Sequence, residues 1–481
     1  MAENRIVIRG GYVITMDEKL CDLPVGDVLI EGRRIVEVAR SVDVPDARVI
    51  DARGTVVIPG LVDTHRHTWQ TQMRAICADW TLGDYFLGIR LAISPAYTAD
   101  DVYVGNYLGA IEAIESGVTT LLDFSHCNNS PQHSDAAVKG LTDAGVRALH
   151  CYGFFASARE NAAFPTHATR LADFERVSRA YSSGGSLVTI GSALTEIATI
   201  PWNETTAEIA TTRRLGARMV LHTGCAWGSV ATMGVKEMNA ARLLGPDQVH
   251  VHCNNLDETE WRMLAAAGAK VSISPETELN MGMGHPVFDQ CRKYGIRPTL
   301  SCDIISLNSG DLFSQMRLGL AHARCADNDL ANRRGAMPES LTFTARDALR
   351  WVTMNGAEAC GMESTIGSLT PGKDADIVVI GGSESMRFRP RIDPVGSVVF
   401  QTGAHDVRDV LIAGKLMKEN GKLVGVDLRA VLERGEGSAA AVLKRVHKST
   451  PQLPPRSSRS PFEAMEERLR QNLAGARTPQ L

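Results

Sequence analysis

The stretch VVIPGLVDTHRH, residues 56–67, decides the fold, because an apolar strand there ends in two histidines. Seven further apolar runs follow it along the chain, with amphipathic helical patterns between them. Eight strands that alternate with helices over about 250 residues predict a closed parallel (β/α)8 barrel, the TIM-type α/β fold. No GxGxxG follows the first strand, which disfavours an open dinucleotide-binding sheet. The predicted strands cover residues 56–65, 118–124, 146–152, 187–194, 217–223, 248–253, 270–275 and 297–303.

Two β-rich segments flank this middle region, at residues 5–60 and 374–424. Both carry short runs of β-branched residues broken by Gly, Asp and Pro, which is typical of strands and turns. We expect them to pack together as one small β-sandwich domain built from both chain ends. The predicted units are the N-terminal part of the sandwich (1–58), the barrel (59–362), the C-terminal part of the sandwich (363–430) and a C-terminal tail (431–481), within which residues 462–475 predict one amphipathic helix.

The composition favours a small-molecule substrate. The formal net charge of the 481 residues is −4, which is not the clustered basic excess typical of a nucleic-acid partner. The N-terminus lacks the pattern of a signal peptide, and no apolar stretch is long enough to span a membrane. Ten scattered cysteines without a CxxC pair indicate reduced thiols, so we expect a cytoplasmic protein.

Polar side chains close four of the predicted strands, at the end of a barrel where reactive groups lie. His65 and His67 end the first strand, and alternate residues of a strand face the same side. His222, His252 and Asp303 end the fifth, sixth and eighth strands. Imidazole nitrogens with one carboxylate suit Zn²⁺, and also Fe²⁺ or Mn²⁺. The pattern therefore predicts one divalent metal ion, zinc before the others, at the mouth of the barrel.

Each of these residues also has a purely structural interpretation. A lone His222 is consistent with a hydrogen-bonded structural residue, and Asp303 with the N-cap of the segment after it. The spacing of His65 and His67 is a weak signal by itself. Their shared position at strand ends, which the fold prediction places together, favours the metal site.

These motifs resemble the amidohydrolase superfamily, and within it the branch of cytosine, guanine and S-adenosylhomocysteine deaminases and triazine hydrolases. The resemblance is carried by PGLVDTHRH (59–67), by the histidines and the aspartate at the later strand ends, and by IGSLTPGKDADIVVI (366–380). It covers roughly residues 4–430 and implies a barrel flanked by a β-sandwich. A homodimer is also expected from it.

The resemblance implies a role for each strand-end residue. It implies that His65, His67, His222 and Asp303 hold the metal, while His252 contacts the substrate or the activated water. A divalent ion lowers the pKa of bound water toward neutrality. Asp303 is then expected to accept the water's proton, and His252 to stabilise the negative charge that develops. Asp303 and His252 are thus the expected catalytic residues.

The chain departs from the deaminase pattern after the fifth strand. That branch reads HxxE there, with the glutamate moving a proton to the leaving group, whereas this chain has Cys225 at the glutamate position. A thiol has a reference pKa about four units above that of a glutamic acid. Three interpretations remain open: Glu276 or Glu278 near the seventh strand end relays the proton, Cys225 itself does so, or the leaving group needs little protonation.

Residues that follow the first two strands are candidates for substrate binding. Trp69, Gln70 and Arg74 follow His67, and their aromatic, amide and guanidinium groups suit a planar polar heterocycle. His126 at the second strand end and Trp227 after the fifth strand are further candidates. Two of these residues also have a structural alternative: Trp69 packs against the barrel rim, and His126 orients a neighbouring loop.

The leading hypothesis is an aminohydrolase, or deaminase, that cleaves a C–N bond of a nitrogen heterocycle with metal-activated water. The nearest alternative keeps the same metal and water but opens a cyclic amide or displaces chloride. A second alternative is a barrel scaffold without catalysis, motivated by Cys225 at the glutamate position. The intact ligand set argues against a scaffold, because buried polar groups carry a cost that only a function offsets.

Overall fold

The structure is a computed structural model that describes residues 5–158, 161–181, 185–225, 234–382, 384–456 and 470–473. Its strands are β1 Arg5–Val13, β2 Leu23–Glu31, β3 Arg34–Ala39, β4 Arg48–Asp51, β5 Val56–Pro59, β6 Leu61–Arg66, β7 Val118–Ser125, β8 Arg147–Gly153, β9 Val188–Ala193, β10 Met219–Thr223, β11 Gln248–His252, β12 Lys270–Ile273, β13 Pro298–Leu300, β14 Ile377–Ile380, β15 Val407–Ile412, β16 Lys415–Glu419 and β17 Lys422–Leu423.

Helices connect most of the barrel strands. Short 3₁₀ and π-helical segments, among them Thr68–Met73 and Phe86–Ile93, lie after the first barrel strand. The α-helices are α1 Leu82–Tyr85, α2 Ala99–Glu115, α3 Pro131–Ala144, α4 His167–Tyr181, α5 Trp202–Arg214, α6 Val235–Ala240, α7 Glu258–Ala267, α8 Pro275–Asn280, α9 Phe288–Lys293, α10 Leu312–Asn332, α11 Ala345–Trp351, α12 Met354–Ala359, α13 Pro394–Gly396 and α14 Leu428–Val446.

Strands β6 to β13 form the predicted barrel. They pair in parallel and in sequence order, and a bridge between Arg66 and Asp303 joins the two ends of this sheet. Side chains on the strands are almost entirely buried, which is typical of a parallel sheet covered by helices. The prediction of a (β/α)8 barrel is confirmed, with strand boundaries that agree within a few residues.

The first predicted strand divides at Gly60. Residues before it form β5, which pairs with β14 of the small sheet, while residues after it form β6 of the barrel. A Cβ atom at Gly60 would lie 2.1 Å from Thr119 Oγ1, so only glycine allows the chain to pass this close to β7. One continuous apolar run therefore supplies one strand to each of the two domains.

The small domain contains strands from both chain ends, as predicted. They form one hydrogen-bonded sheet in the order β17-β16-β15-β14-β5-β1-β2-β3, with β4 parallel to β1. Neighbouring strands along this order are antiparallel except for β1 and β5, which are parallel.

The C-terminal region begins with a helix that the sequence analysis did not predict. Helix α14 packs on α2, where Ser438 Oγ donates to Asp101 Oδ1 at 2.7 Å and Arg445 forms an ion pair with the same carboxylate. Val442 and Val446 are buried in the apolar cluster that contains Trp69. Of the helix predicted at 462–475, only residues 470–473 lie within the described part of the chain.

All ten cysteines lie in the described part of the chain, and each is a free thiol. Seven of them are buried. In the same described ranges, we find no helix with the length and apolar character needed to cross a membrane.

A buried ion-pair cluster connects the barrel to the small sheet. Arg147, at the start of β8, donates from Nε to Asp376 Oδ2 at 2.9 Å and from Nη2 to Asp374 Oδ2 at 2.8 Å. Both carboxylates precede β14, and all three side chains are buried. Asp374 also forms ion pairs with Arg33 and Arg34, whereas Asp376 forms its ion pair with Arg147, so loss of Arg147 leaves the buried charge of Asp376 uncompensated at the domain boundary.

We therefore expect Arg147→Ala to lower the free energy of unfolding by about 3–5 kcal/mol. The matched control is Arg179→Ala, which removes an exposed ion pair with Glu175 and should cost no more than about 1 kcal/mol. Urea denaturation followed by circular dichroism measures both variants. Equal stability of the two variants would show that the buried cluster does not hold the domains together.

Candidate functional site

Closure of the barrel brings the predicted metal ligands together. The backbone N–H of Asp303 donates to the carbonyl of His65 at 2.9 Å, and the N–H of His67 donates to the carbonyl of Asp303 at 2.8 Å. These two hydrogen bonds continue the sheet across the gap between β13 and β6. The same backbone contact therefore completes the barrel and sets the side chains of His65, His67 and Asp303 side by side.

The five strand-end side chains converge at this point. His65 Nε2 lies 3.1 Å from Asp303 Oδ1 and 3.4 Å from His222 Nε2. His67 Nε2 lies 3.4 Å from the same aspartate oxygen. The imidazole of His252 approaches from the other side, with Nε2 at 3.9 Å from Asp303 Oδ2. The structure thus places all five predicted residues in one cluster.

Hydrogen bonds fix which ring nitrogen faces the cluster. His67 Nδ1 donates to the carbonyl oxygen of Phe124 at 3.0 Å, and His222 Nδ1 donates to Glu196 Oε1 at 3.1 Å. The Nε2 atoms of both rings therefore carry lone pairs directed at the cluster, which is how metal-ligating histidines are oriented.

Burial keeps these side chains in the protonation states that bind metals. Burial lowers the pKa of His65 to about 4, and it also lowers the pKa values of His67 and His222, so that the imidazoles are neutral at pH 7. Burial alone would raise the pKa of Asp303, but the hydrogen bond from His65 and the surrounding imidazoles bring it below its ordinary range. Neutral imidazoles and an ionised carboxylate are the forms that coordinate cations.

The donor set fits a divalent cation. A tetrahedral ion with bonds of about 2.1 Å holds its ligand atoms about 3.4 Å apart, close to the distances from His65 to Asp303, from His65 to His222 and from His67 to Asp303. The cluster is therefore suited to one metal ion.

The backbone is strained at the two residues expected to act on the reactants. His252 has φ of 75° and Asp303 has φ of 58°, in the left-handed region that non-glycine residues rarely occupy. Such conformations cluster at active sites because they direct a side chain that regular strand geometry would place elsewhere.

The structure separates the three proton-relay candidates. Glu278 Oε1 accepts from His252 Nδ1 at 3.1 Å, so this carboxylate contacts the cluster through that histidine. Glu276 instead accepts from Gln315 Nε2 at 2.7 Å, away from the cluster. A cavity at the mouth of the barrel is lined by residues of the cluster and by Cys225. Burial raises the pKa of the Cys225 thiol to about 12, which disfavours an activated thiolate.

The residues predicted to bind substrate lie behind the cavity wall. Trp69 Nε1 donates to His126 Nδ1 at 2.9 Å, and the His126 ring stacks on His67 with centroids 4.3 Å apart. Gln70 donates to the hydroxyl of Tyr85 at 2.7 Å. We find none of Trp69, Gln70 and His126 among the described residues that line the cavity. The structure therefore shows these three supporting the wall from behind.

Arg74 is directed away from the cavity, contrary to the prediction. The 3₁₀ helix after His67 ends at Met73, and extended backbone at Arg74 turns its side chain to the surface. There it forms an ion pair with Glu112 at 2.7 Å and is 48% exposed. Trp227, a further pocket candidate from the sequence, lies outside the described residues.

Sequence reasoning missed Arg90 and Glu196. Both line the cavity at the mouth of the barrel together with His222, His252 and Asp303. Glu196 follows β9 by three residues, so the rule that singled out the other strand ends could have found it. Arg90 lies in an irregular π-helical segment, where no sequence pattern indicates its direction.

A parallel barrel with three histidines and an aspartate at its C-terminal strand ends defines the class of metal-dependent hydrolases. The chain belongs to the amidohydrolase family, whose model matches residues 56–417. It is accordingly a hydrolase that acts on carbon–nitrogen bonds.

Curated relatives match over nearly the whole chain. A 5′-deoxyadenosine deaminase of Methanosarcina barkeri is 28% identical over 454 residues, which cover 92% of this chain and 99% of the relative. A 5-methylthioadenosine/S-adenosylhomocysteine deaminase of Symbiobacterium thermophilum is 28% identical over 460 residues, with the same shares covered.

Solved structures share the fold. An adenosine deaminase from Xanthomonas campestris with bound zinc has a TM-score of 0.79 at 22% identity and covers 91% of this chain and 98% of its own. A mutant atrazine chlorohydrolase from Arthrobacter aurescens, complexed with zinc and atraton, has a TM-score of 0.76 at 20% identity and covers 91% and 100%.

We expect His65→Ala and Asp303→Asn each to reduce metal content from about one ion per chain to a small fraction of that, and to abolish turnover. Each substitution removes one donor from the cluster. Plasma mass spectrometry of dialysed protein measures the metal. His447→Ala, at an exposed histidine of the C-terminal region, is the control and should retain the full content. Normal metal content in both cluster variants would contradict the assignment.

Proposed function

We propose that the chain is an aminohydrolase that removes an amino group from a nitrogen heterocycle, with zinc bound by His65, His67, His222 and Asp303. The observation that carries the proposal is the cluster itself, in which contacts of 3.1 to 3.4 Å connect these four residues beside His252, and His252 is held by Glu278. Similarity to deaminases of adenosine derivatives supports the reaction type. The free cysteines support a reducing compartment, and we place the protein in the cytoplasm.

In this proposal the two oxygens of Asp303 have different roles. Oδ1 faces His65 and His67, whereas Oδ2 faces His252. A divalent ion at the cluster supplies Lewis acidity that makes a water nucleophilic at neutral pH. Asp303 Oδ2 is placed to accept the proton that the water gives up as its oxygen bonds to the ring carbon. The C–N bond then breaks, and the amino group leaves as ammonia after gaining a proton.

We assign the delivery of that proton to His252, supported by Glu278. Glu278 is buried, and its Oε1 accepts from both His252 Nδ1 and the backbone N–H of Ser274. Its Oε2 is buried with no hydrogen-bond partner among the described residues. His252 Nε2 lies 3.9 Å from Asp303 Oδ2, so in this proposal it takes up the proton that Asp303 accepted from the water and passes it to the leaving amino group, while Nδ1 stays hydrogen-bonded to Glu278. This pair would replace the acid that Cys225 does not supply.

Ammonia release from a panel of purines, pyrimidines, pterins and triazines tests the reaction. With zinc-loaded protein we expect turnover of at least one aminated heterocycle. Glu278→Gln should lower kcat about 100-fold without loss of zinc, because the amide still accepts from His252 but cannot stabilise its charge. Glu258→Gln, at an exposed ion pair with Lys293, is the control. Unchanged kcat in Glu278→Gln would exclude the relay.

Cys225, at the position of the expected glutamate, motivates one alternative, in which the enzyme displaces a leaving group that needs no proton. A similar fold occurs in an atrazine chlorohydrolase, and a leaving group such as chloride needs no proton. If the panel releases no ammonia while chlorinated triazines or cyclic amides are hydrolysed, the alternative is correct. If the proposed aminohydrolase function is correct, neither the native enzyme nor Cys225→Glu releases chloride. The substitution then changes only the rate of ammonia release. Metal-replete protein without any hydrolysis would favour the scaffold.

A further inference from the structure

A half-buried ion pair forms part of the cavity wall beside the cluster of histidines and Asp303. Arg90 Nη1 donates to Glu196 Oε1 at 2.8 Å, and that oxygen also accepts from His222 Nδ1 at 3.1 Å. The two residues are 106 positions apart in sequence. Since Glu196 contacts a cluster histidine directly, the pair lies beside the place where a substrate must sit.

The guanidinium of Arg90 is held in one orientation. Its central carbon lies 3.9 Å from the ring centroid of Phe155 and 5.5 Å from that of Phe86. The side chain is 4% exposed, and Nε is buried without a hydrogen-bond partner among the described residues. Stacking on an aromatic face stabilises a guanidinium and leaves its N–H groups, which lie in the plane of the guanidinium, free to donate hydrogen bonds.

Glu196 retains an oxygen that can accept another hydrogen bond. Within the part of the chain that the structure describes, Oε2 is approached only by Arg90 Nη2, at 3.4 Å, which is long for a charge-assisted hydrogen bond. The side chain is 19% exposed, and both residues line the cavity. The wall thus presents donors of Arg90 and an acceptor of Glu196 next to each other.

We propose that Arg90 and Glu196 recognise a lactam edge, the adjacent C=O and N–H of an oxo-substituted heterocycle, and so determine specificity. The inference rests on the proposed aminohydrolase function and names its substrate class. The carbonyl oxygen accepts from the Arg90 guanidinium, and the ring N–H donates to Glu196 Oε2. An aminated lactam therefore fits the cavity better than the adenosine derivatives named for the relatives.

The carboxylate of Glu196 discriminates between lactams and adenine compounds. The ring nitrogens of the adenine six-membered ring are acceptors only, so they would direct lone pairs at Glu196. A half-buried carboxylate that faces a lone pair loses a hydrogen bond and gains repulsion, and sites of this kind reject mismatched ligands. Hypoxanthine, which differs from adenine by a carbonyl and a ring N–H, has the complementary edge.

Glu196→Gln separates recognition from support of the metal. The amide oxygen of glutamine can still accept from His222 Nδ1, so zinc content should remain unchanged, while the amide N–H₂ can face a ring nitrogen. We expect kcat/KM of the native enzyme to be at least about 10-fold higher for guanine and isocytosine than for adenine and 5′-deoxyadenosine. In Glu196→Gln that ratio should fall at least about 10-fold. Glu258→Gln should leave it unchanged.

Calorimetric binding of hypoxanthine and adenine to the zinc-loaded protein tests the inference separately from turnover. We expect tighter binding of hypoxanthine to the native enzyme and loss of that preference in Glu196→Gln. Absence of ammonia release with this binding preference intact would overturn the proposed function but support the lactam site. Preference of the native enzyme for adenine compounds, or an equal loss for both classes in Glu196→Gln, would overturn the inference.

Discussion

Two backbone hydrogen bonds between the first strand of the barrel and the segment after the last one organise the active site. They join His65 and His67 to Asp303, residues more than two hundred positions apart in sequence. Without this contact the sheet would be open, and the aspartate would not face the two histidines. Because the proposed ligands His65, His67 and Asp303 lie in the segments that these bonds join, the stability of the barrel and the geometry of the cluster depend on the same interaction.

Such a cluster is costly to bury, and its surroundings offset that cost. The carbonyl of Phe124 holds His67, Glu196 holds His222, and Glu278 holds His252, each through the ring nitrogen that faces away from the centre. These partners orient each imidazole before any ligand is present. A site arranged in advance needs little reorganisation during the reaction, which is a large part of how enzymes lower barriers.

The pattern of strands and strand ends was sufficient to predict the barrel and the cluster, because strand direction and side-chain alternation follow simple rules. Prediction was poorer for the segment after the first strand. A 3₁₀ helix has three residues per turn, so side chains there do not follow the spacing of an α-helix. Arg74 consequently lies on the surface, while Trp69 and His126 hold the cavity wall from behind.

What the sequence by itself determined is the identity of the cluster residues, since each is read from the end of one apolar strand. The tertiary structure alone decided which acid accompanies them. Glu276 and Glu278 are two residues apart on α8, about 200° around the helix, and only the second faces His252. The pairing of Arg90 with Glu196 depends on the path of a π-helical segment across the barrel mouth. Contacts between residues distant in sequence depend on how whole helices and strands pack, and no local sequence pattern indicates that packing.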